Sequence, residues 1–135
     1  MSDFRRVTEH LSVAPQISLA DVTEAARLGF RTLISNRPDG EEPTQLTAAD
    51  IAAAAATAGL AFYHIPVRGA PTPDQVEETR IVLQDADEPV LAFCRSGTRS
   101  IIIWSLSQAT SGAMDRGDLV SLGRQAGYDL TGVFG

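Results

Sequence analysis

The feature that most constrains the fold is an alternation of short apolar segments with capped helical segments along the 135-residue chain. Apolar runs bounded by turn residues indicate strands, and capping residues ahead of longer stretches indicate helices between them. Short connections between such elements favour right-handed crossovers, and thus an α/β fold with a mainly parallel central sheet and helices on both faces. The predicted strands are Leu11–Ala14, Phe30–Ser35, Leu60–Val67 and Pro89–Phe93, and the predicted helices are Leu19–Leu28, Ala48–Ala58, Pro73 to about Leu83, Ser100–Gln108 and Asp118–Gln125.

We expect one domain over residues 1–135, because no repeat, low-complexity tract or linker divides the sequence. The net charge of −6 argues against nucleic acid or an anionic membrane as a partner. No apolar run reaches the roughly 18–20 residues of a membrane span, and no secretory signal follows Met1. A single cysteine fits a reducing compartment. The cytoplasm is therefore the expected location.

The single cysteine, Cys94, stands where an apolar strand gives way to a loop of small residues and then an apolar helix. Backbone N–H groups of such a loop converge on one point and carry partial positive charge, which suits an anion and favours a thiolate. A buried structural cysteine is the ordinary alternative at a strand end. Gly97, which permits close backbone approach, favours a nucleophilic Cys94 that is ionised and reachable from solvent.

Two arginines flank this loop. Arg99 is the predicted partner of the thiolate and of a bound oxyanion, because its planar guanidinium can grip two oxygens at once. Arg95 is the second choice, and the ordinary alternative for each of the two arginines is a surface charge or a salt bridge to an acid of a loop. The small polar residues between and after them could donate to the thiolate or cap the helix, and capping alone accounts for Ser100. The predicted anion-binding set therefore also includes Ser96, Gly97, Thr98 and Ser100.

Two further loops, Asn36–Pro43 and Arg68–Thr72, leave the carboxyl ends of predicted strands. Sites of α/β folds lie at that edge of the sheet, so we expect both loops to meet Cys94–Arg99 there. Asp39 is the best-placed acid for proton transfer, and Arg37 could add to the field that binds an anion. A plain turn is the ordinary alternative for such a polar stretch.

Neither a metal nor another cofactor is predicted. His10 and His64 lie far apart in the sequence, and with one cysteine they do not form a zinc cluster. The chain has no lysine, which excludes a Schiff-base enzyme and a Walker-type phosphate loop.

Four stretches of the chain resemble the beta-lactamase hydrolase-like, phosphatase-like domain of bacteria, and the match extends from about Phe4 to Tyr128. The resemblance implies the fold of the dual-specificity, cysteine-dependent phosphatases. This family also occurs fused to a metallo-β-lactamase-like sulfur dioxygenase, which implies a functional link to such an enzyme. The four stretches are Asn36–Pro43 (NRPDGEEP), Tyr63–Val67 (YHIPV), Pro71–Val76 (PTPDQV) and Cys94–Ser100 (CRSGTRS).

Two departures from the phosphatase pattern favour sulfur chemistry. Those phosphatases have five residues between Cys and Arg, whereas four separate Cys94 from Arg99, and Ser100 stands where their Arg would fall. The shorter loop is closer to that of rhodanese-type sulfurtransferases. Phosphatases of this fold also usually carry a general-acid Asp after the strand that matches Leu60–Val67, and Arg68–Pro71 contains no acid. Sulfur transfer needs no such donor, because a thiolate or sulfite leaves unprotonated.

The leading hypothesis is therefore a sulfurtransferase. Cys94 takes sulfur from a sulfane donor, such as thiosulfate or a small persulfide, and passes it to an acceptor thiol or cyanide. The first alternative is a phosphatase that acts on phosphoesters through a cysteinyl-phosphate, with Asp39 replacing the missing acid. The second alternative is a non-catalytic module that binds oxyanions.

Overall fold

The computed structural model describes residues 2–134, in which five strands form one sheet in the order β1-β2-β5-β3-β4. β1 pairs antiparallel with β2, and every other neighbouring pair is parallel. The predicted mainly parallel sheet is confirmed. β1 is absent from the prediction because two residues carry no readable periodicity. The strands are β1 (Arg5–Arg6), β2 (Leu11–Ala14), β3 (Thr32–Ser35), β4 (Ala61–His64) and β5 (Val90–Phe93).

Five helices connect the strands or follow them in the described part of the chain. The first three begin at capping boxes on Ser18, Thr47 and Thr72, as the sequence predicts. The last begins two residues before its predicted start, because the Asp115 side chain caps it. The helices are α1 (Leu19–Arg27), α2 (Ala48–Ala58), α3 (Pro73–Asp85), α4 (Thr98–Ser111) and α5 (Arg116–Gln125). Within residues 2–134, none of them is long and apolar enough to cross a membrane.

The start of α4 differs from the prediction in a way that matters for the site. Gly97 is the N-cap residue, with a left-handed φ of +90°, and no side chain caps the helix. Thr98 is therefore already helical, and Ser100 lies inside the first turn. The predicted capping role of Ser100 is wrong, because the glycine brings the chain into the helix two residues earlier.

Apolar side chains form one layer on each face of the sheet. Successive residues of a strand point to opposite faces, so Leu91 and Phe93 belong to one buried cluster and Val90 and Ala92 to the other. The first cluster includes residues of α1 and α2, and the second includes residues of α3, α4 and α5. The predicted helices on both faces are confirmed, and the sheet brings the ends of β3 and β5 together at one edge.

Candidate active site

Three loops meet at the carboxyl edge of the sheet. Ser35, at the end of β3, is in register with His64 of β4 and with Phe93 of β5, so the chain leaves all three strands at one level. The Arg99 side chain, on α4, then contacts both other loops: it donates to Glu41 and to the carbonyl oxygen of Val67. The predicted meeting of these loops is confirmed. We call residues 94–97 the cysteine loop and residues 38–45 the acidic loop.

The Cys94 sulfur lies at the centre of the cysteine loop. The Gly97 N–H donates to Sγ at a nitrogen–sulfur distance of 3.0 Å, as expected of a loop whose N–H groups converge on the thiolate. Cys94 is nevertheless 0% exposed, so the expectation that its sulfur is open to solvent is wrong. Its neighbours are polar as well as apolar, because both Arg99 and Tyr128 interact electrostatically with it. A substrate must therefore displace the groups that cover the sulfur.

Arg99 is held on one side by the acidic loop. Nη1 donates to Glu41 Oε2 at 2.8 Å and to the Val67 carbonyl oxygen at 2.9 Å, and Nη2 donates to Glu41 Oε1 at 2.9 Å. A guanidinium has five N–H groups. The Nε–H and the second Nη2–H lie together on the remaining edge and donate to no oxygen among residues 2–134. That edge is a fork of the right shape for two oxygens of an oxyanion.

Glu41 is the acid that organises these arginines. Its carboxylate accepts from Arg99 and also from Arg37 Nε at 2.9 Å. The hydrogen bonds from Arg99, and then from Arg37, lower the pKa of Glu41 to about 2 against the opposing effect of burial. In return, Glu41 is the main cause of a raised pKa of Arg99, to which Cys94 adds. Glu41 therefore stays ionised at neutral pH and cannot donate a proton.

The other two predicted anion-binding arginines share the second glutamate of the acidic loop. Arg37 is 4% exposed and donates from Nη2 to Glu42 Oε1 at 3.1 Å and from Nη1 to Gln16 at 3.0 Å. Arg95 Nε lies 3.3 Å from the same Glu42 oxygen, and its side chain is 69% exposed. Arg95 of the cysteine loop and Arg37 thus share a carboxylate partner, and their role in anion binding stays a prediction.

The hydroxyl groups of the cysteine-loop region bond to one another and not to the sulfur. Ser96 Oγ donates to Thr98 Oγ1 at 2.9 Å and accepts from the Thr98 N–H at 3.3 Å. Ser100 Oγ is buried and has no hydrogen-bond partner among the described residues. Of the small residues predicted to donate, Gly97 contacts Sγ through its backbone N–H, and Arg99 interacts with the same cysteine.

Asp39 lies at the outer side of the acidic loop. Its carboxylate is exposed and accepts from the Ala48 N–H at 2.8 Å, at the start of α2. It also lines an open cavity of about 410 Å³ that it shares with His64 and Arg68 and with no residue of the cysteine loop. The structure therefore does not bring Asp39 to Cys94 as it brings Arg99, and the role of Asp39 in proton transfer stays a prediction.

Sequence reasoning missed two residues of the site, Glu41 and Tyr128. Glu41 stands in the polar stretch that the prediction singled out, and the alternative of a salt bridge from Arg99 to a loop acid did not name it. Tyr128 has no such signal. It lies 34 positions after Cys94 in the sequence and reaches the cysteine loop only because α5 and Gly127 turn the chain back.

No cluster of three or more His, Cys, Asp or Glu side chains that could hold a metal ion occurs within residues 2–134.

The fold and the site together define a class. The crystal structure of kinase-associated phosphatase, in which a serine replaces the catalytic-site cysteine, superposes with a TM-score of 0.70 at 14% identity, covering 94% of this chain and 83% of that chain. At that identity the likeness shows the fold alone. The protein has the fold of the cysteine-dependent tyrosine and dual-specificity phosphatases, with a cysteine at the end of a central strand.

Residues 3–111 match the family of the beta-lactamase hydrolase-like protein, phosphatase-like domain, and the chain belongs to this family. The beta-lactamase hydrolase-like protein of Agrobacterium fabrum is 35% identical over 126 residues, which are 93% of this chain and 29% of that protein. The chain thus spans less than a third of the length of this curated relative. A crystal structure of a candidate phosphatase from Neisseria meningitidis is 35% identical, with a TM-score of 0.85 over 97% of this chain and 93% of that chain.

These comparisons confirm the family and the fold implied by the resemblance, and they favour the phosphatase alternative over the leading sulfurtransferase hypothesis. They give no support to a sulfane donor, an acceptor thiol or a link to a sulfur dioxygenase. The correction has a physical reason. The sequence hypothesis gave more weight to the shorter loop and the missing acid than to the fold, but the Arg99 guanidinium reaches Cys94 despite the shorter loop.

Proposed function

We propose that this domain hydrolyses phosphate monoesters through a phosphorylated Cys94. The observation that carries the proposal is the arrangement around one sulfur atom: the Gly97 N–H donates to Cys94 Sγ at 3.0 Å, and the Arg99 guanidinium interacts with the same cysteine. An N–H donor and a fixed cation beside a thiolate are the groups that stabilise both the nucleophile and the negative charge of a phosphoryl group. Family and fold support the same chemistry.

The chemistry would take two steps. In the first, the Cys94 thiolate attacks phosphorus, a phosphorus–sulfur bond forms, and the ester phosphorus–oxygen bond breaks with its electron pair leaving on oxygen. In the second, water attacks the phosphorus, the phosphorus–sulfur bond breaks, and inorganic phosphate and a proton leave as the thiolate is regenerated. The Nε–H and the remaining Nη2–H of Arg99 would hold two phosphoryl oxygens during both steps, while Glu41 keeps the opposite edge fixed.

We expect little protonation of the leaving group in this site. Glu41 is the acid that contacts Arg99, and with a pKa of about 2 it carries no proton to give. A missing general acid costs about 10²–10⁴ in rate when the leaving group is basic. We therefore expect aryl and other esters with acidic leaving groups to be hydrolysed much faster than alkyl phosphates.

The test is hydrolysis of 4-nitrophenyl phosphate by the wild type and Cys94→Ser. We expect turnover by the wild type and a loss of at least about a thousandfold in Cys94→Ser, as for other catalytic nucleophiles. Arg99→Lys should cost about a hundredfold, because an ammonium cannot offer two parallel N–H groups. Arg80→Lys is the matched control, since Arg80 pairs with Glu77 on the exposed face of α3.

Two other outcomes would point to the remaining hypotheses. Thiosulfate:cyanide transfer by the wild type, lost in Cys94→Ser, without phosphatase activity would mean that the domain is a sulfurtransferase after all. Tight binding of phosphate or sulfate with neither activity would identify an oxyanion-binding module. Either result contradicts the proposed function.

A further inference from the structure

Tyr128 has no part in the proposed chemistry, yet its hydroxyl contacts the cysteine loop directly. The residue is 9% exposed, and its hydroxyl donates to the Ser96 carbonyl oxygen at 2.9 Å. The Arg5 guanidinium lies 5.2 Å from the centre of the ring. Burial is the first cause of a raised pKa of Tyr128, so the hydroxyl keeps its proton and acts as a donor at neutral pH.

The position of this hydrogen bond gives it a particular effect. The Ser96 carbonyl and the Gly97 N–H belong to one peptide unit, which is planar and trans, so they point in opposite directions. The N–H faces Cys94 Sγ at 3.0 Å, and the carbonyl oxygen faces the Tyr128 hydroxyl at 2.9 Å. Tyr128 therefore holds the outer end of the peptide whose inner end binds the sulfur.

This peptide needs such a restraint. Gly97 has a φ of +90°, and a glycine allows the preceding peptide unit to rotate at little steric cost. Rotation would turn the Ser96 carbonyl oxygen toward the sulfur, where it would repel a thiolate or an oxyanion. It would also break the bond from Tyr128. In the observed orientation, donation by the hydroxyl polarises the peptide and strengthens donation by its N–H.

We propose that Tyr128 is a positioning residue that locks the Ser96–Gly97 peptide with its N–H toward Cys94 Sγ. This orientation of the peptide favours the thiolate form of Cys94 and the binding of an oxyanion in the cysteine loop. The inference rests on the proposed function only in that Cys94 reacts as a thiolate, which phosphoryl transfer and sulfur transfer both require.

The residues around the Tyr128 hydroxyl allow a variant that removes its hydrogen bond and leaves the neighbouring charges unchanged. Arg99 and Tyr128 interact electrostatically with Cys94, and Arg5 and Asp3 interact with Tyr128. Tyr128→Phe keeps the ring beneath Arg5 and leaves all three charged residues in place. A change in the ionisation of Cys94 would therefore report the lost hydroxyl and not lost packing.

The experiment follows ionisation of Cys94 by NMR of protein labelled with ¹³C-cysteine, which gives one resonance because the chain has one cysteine. In Tyr128→Phe we expect the titration midpoint to move to higher pH. At fixed pH this corresponds to a thiolate-to-thiol ratio about threefold to tenfold smaller, the usual effect of one hydrogen bond. Tyr63→Phe is the control, because Tyr63 is the other tyrosine and its side chain is 37% exposed on β4.

An unchanged midpoint in folded Tyr128→Phe overturns the proposal. A second variant covers the case in which Tyr128→Phe does not fold. In the Tyr63→Phe background, 3-fluorotyrosine replaces Tyr128 alone and makes its hydroxyl a stronger donor, so the midpoint should move to lower pH, and an unmoved midpoint again overturns the proposal. Absence of aryl phosphate turnover in the wild type contradicts the proposed function and leaves these titrations unaffected.

Discussion

The cysteine loop and the acidic loop lie on opposite sides of Arg99 and carry opposite kinds of polar group. The cysteine loop presents a backbone N–H, from Gly97, to the sulfur. The acidic loop presents two carboxylates, Glu41 and Glu42, and the Gln45 side chain holds it by accepting from both of their N–H groups at 3.1 and 3.3 Å. One loop thus supplies donors from the main chain, and the other supplies acceptors from side chains.

This difference indicates separate tasks. A backbone N–H does not titrate, so Gly97 offers its donor to the sulfur at every pH, provided that its peptide keeps its orientation. The acidic loop acts through the negative charge of Glu41, and the ion pair between Glu41 and Arg99 exists only while Glu41 is ionised. The cysteine loop therefore depends on backbone geometry and the acidic loop on electrostatics, and variants can break each dependence separately.

Gly97→Ala should have the largest effect on stability, because it disturbs the backbone geometry of the cysteine loop. A Cβ atom there would lie 2.2 Å from the Tyr128 hydroxyl oxygen and 3.3 Å from the Ala14 carbonyl carbon, at a φ of +90°. Strain and overpacking together should lower the free energy of unfolding by about 2–4 kcal/mol. Urea denaturation measures the change.

Gly112→Ala is the matched control for that variant. Gly112 ends the same helix with a φ of +74°, but a Cβ there meets no atom within 4 Å. It should therefore lose only about 1 kcal/mol, the cost of the left-handed backbone. Equal losses in the two variants would show that the close approach of Tyr128 to the cysteine loop does not exist in solution.

Glu41→Gln removes a negative charge from the acidic loop and should have the next largest effect on stability. At pH 7 we expect the free energy of unfolding to fall by about 1–2 kcal/mol, because Glu41 loses its ion pairs with Arg99 and Arg37. The folded-state pKa of Glu41 is lowered from 4.5 to about 2, so its contribution is complete above pH 4.5 and is lost as pH falls toward 2.

Urea denaturation at several pH values checks the direction of this pH dependence. The difference between wild type and Glu41→Gln should be constant above about pH 5.5 and shrink steadily below pH 4.5. Glu77→Gln, which breaks an exposed pair with Arg80 on α3, should change stability much less than Glu41→Gln does, because solvent screens that pair. A Glu41→Gln difference that grows on acidification would refute the assigned pairing.

Asp39→Asn should lower the free energy of unfolding less than Gly97→Ala or Glu41→Gln does. The Asn side-chain oxygen can still accept from the Ala48 N–H, so only the favourable charge near the start of α2 is lost, worth about 0.3–0.5 kcal/mol. We expect 4-nitrophenyl phosphate and phenyl phosphate hydrolysis each to change by less than about threefold. A loss of about 10² or more confined to phenyl phosphate would instead identify Asp39 as the general acid.

The sequence predicted the parts of this molecule that local rules determine. Capping boxes at Ser18, Thr47 and Thr72 indicate three helix starts, and apolar runs indicate the parallel strands, because these signals lie within a few neighbouring residues. The same reasoning located Cys94 at the end of β5 and Gly97 beside it. Their mutual distance is short because they lie three residues apart in the chain.

The contacts that complete the site could not be predicted in this way. Glu41 and Arg99 are 58 positions apart, and Tyr128 and Ser96 are 32 apart, so only the packed fold shows that they touch. Side-chain direction is also a tertiary property. Arg37 turns inward to both glutamates, whereas Asp39, two residues later, turns outward to α2.

The most direct test of the central claim is intact-mass analysis of the protein after rapid acid quench during turnover of an aryl phosphate. Phosphorylation of the single cysteine predicts that the wild type gains the mass of one phosphoryl group and that Cys94→Ser gains none. If the wild type gains no phosphoryl group but gains one sulfur atom from thiosulfate, Cys94 carries sulfur, and the proposed function is contradicted.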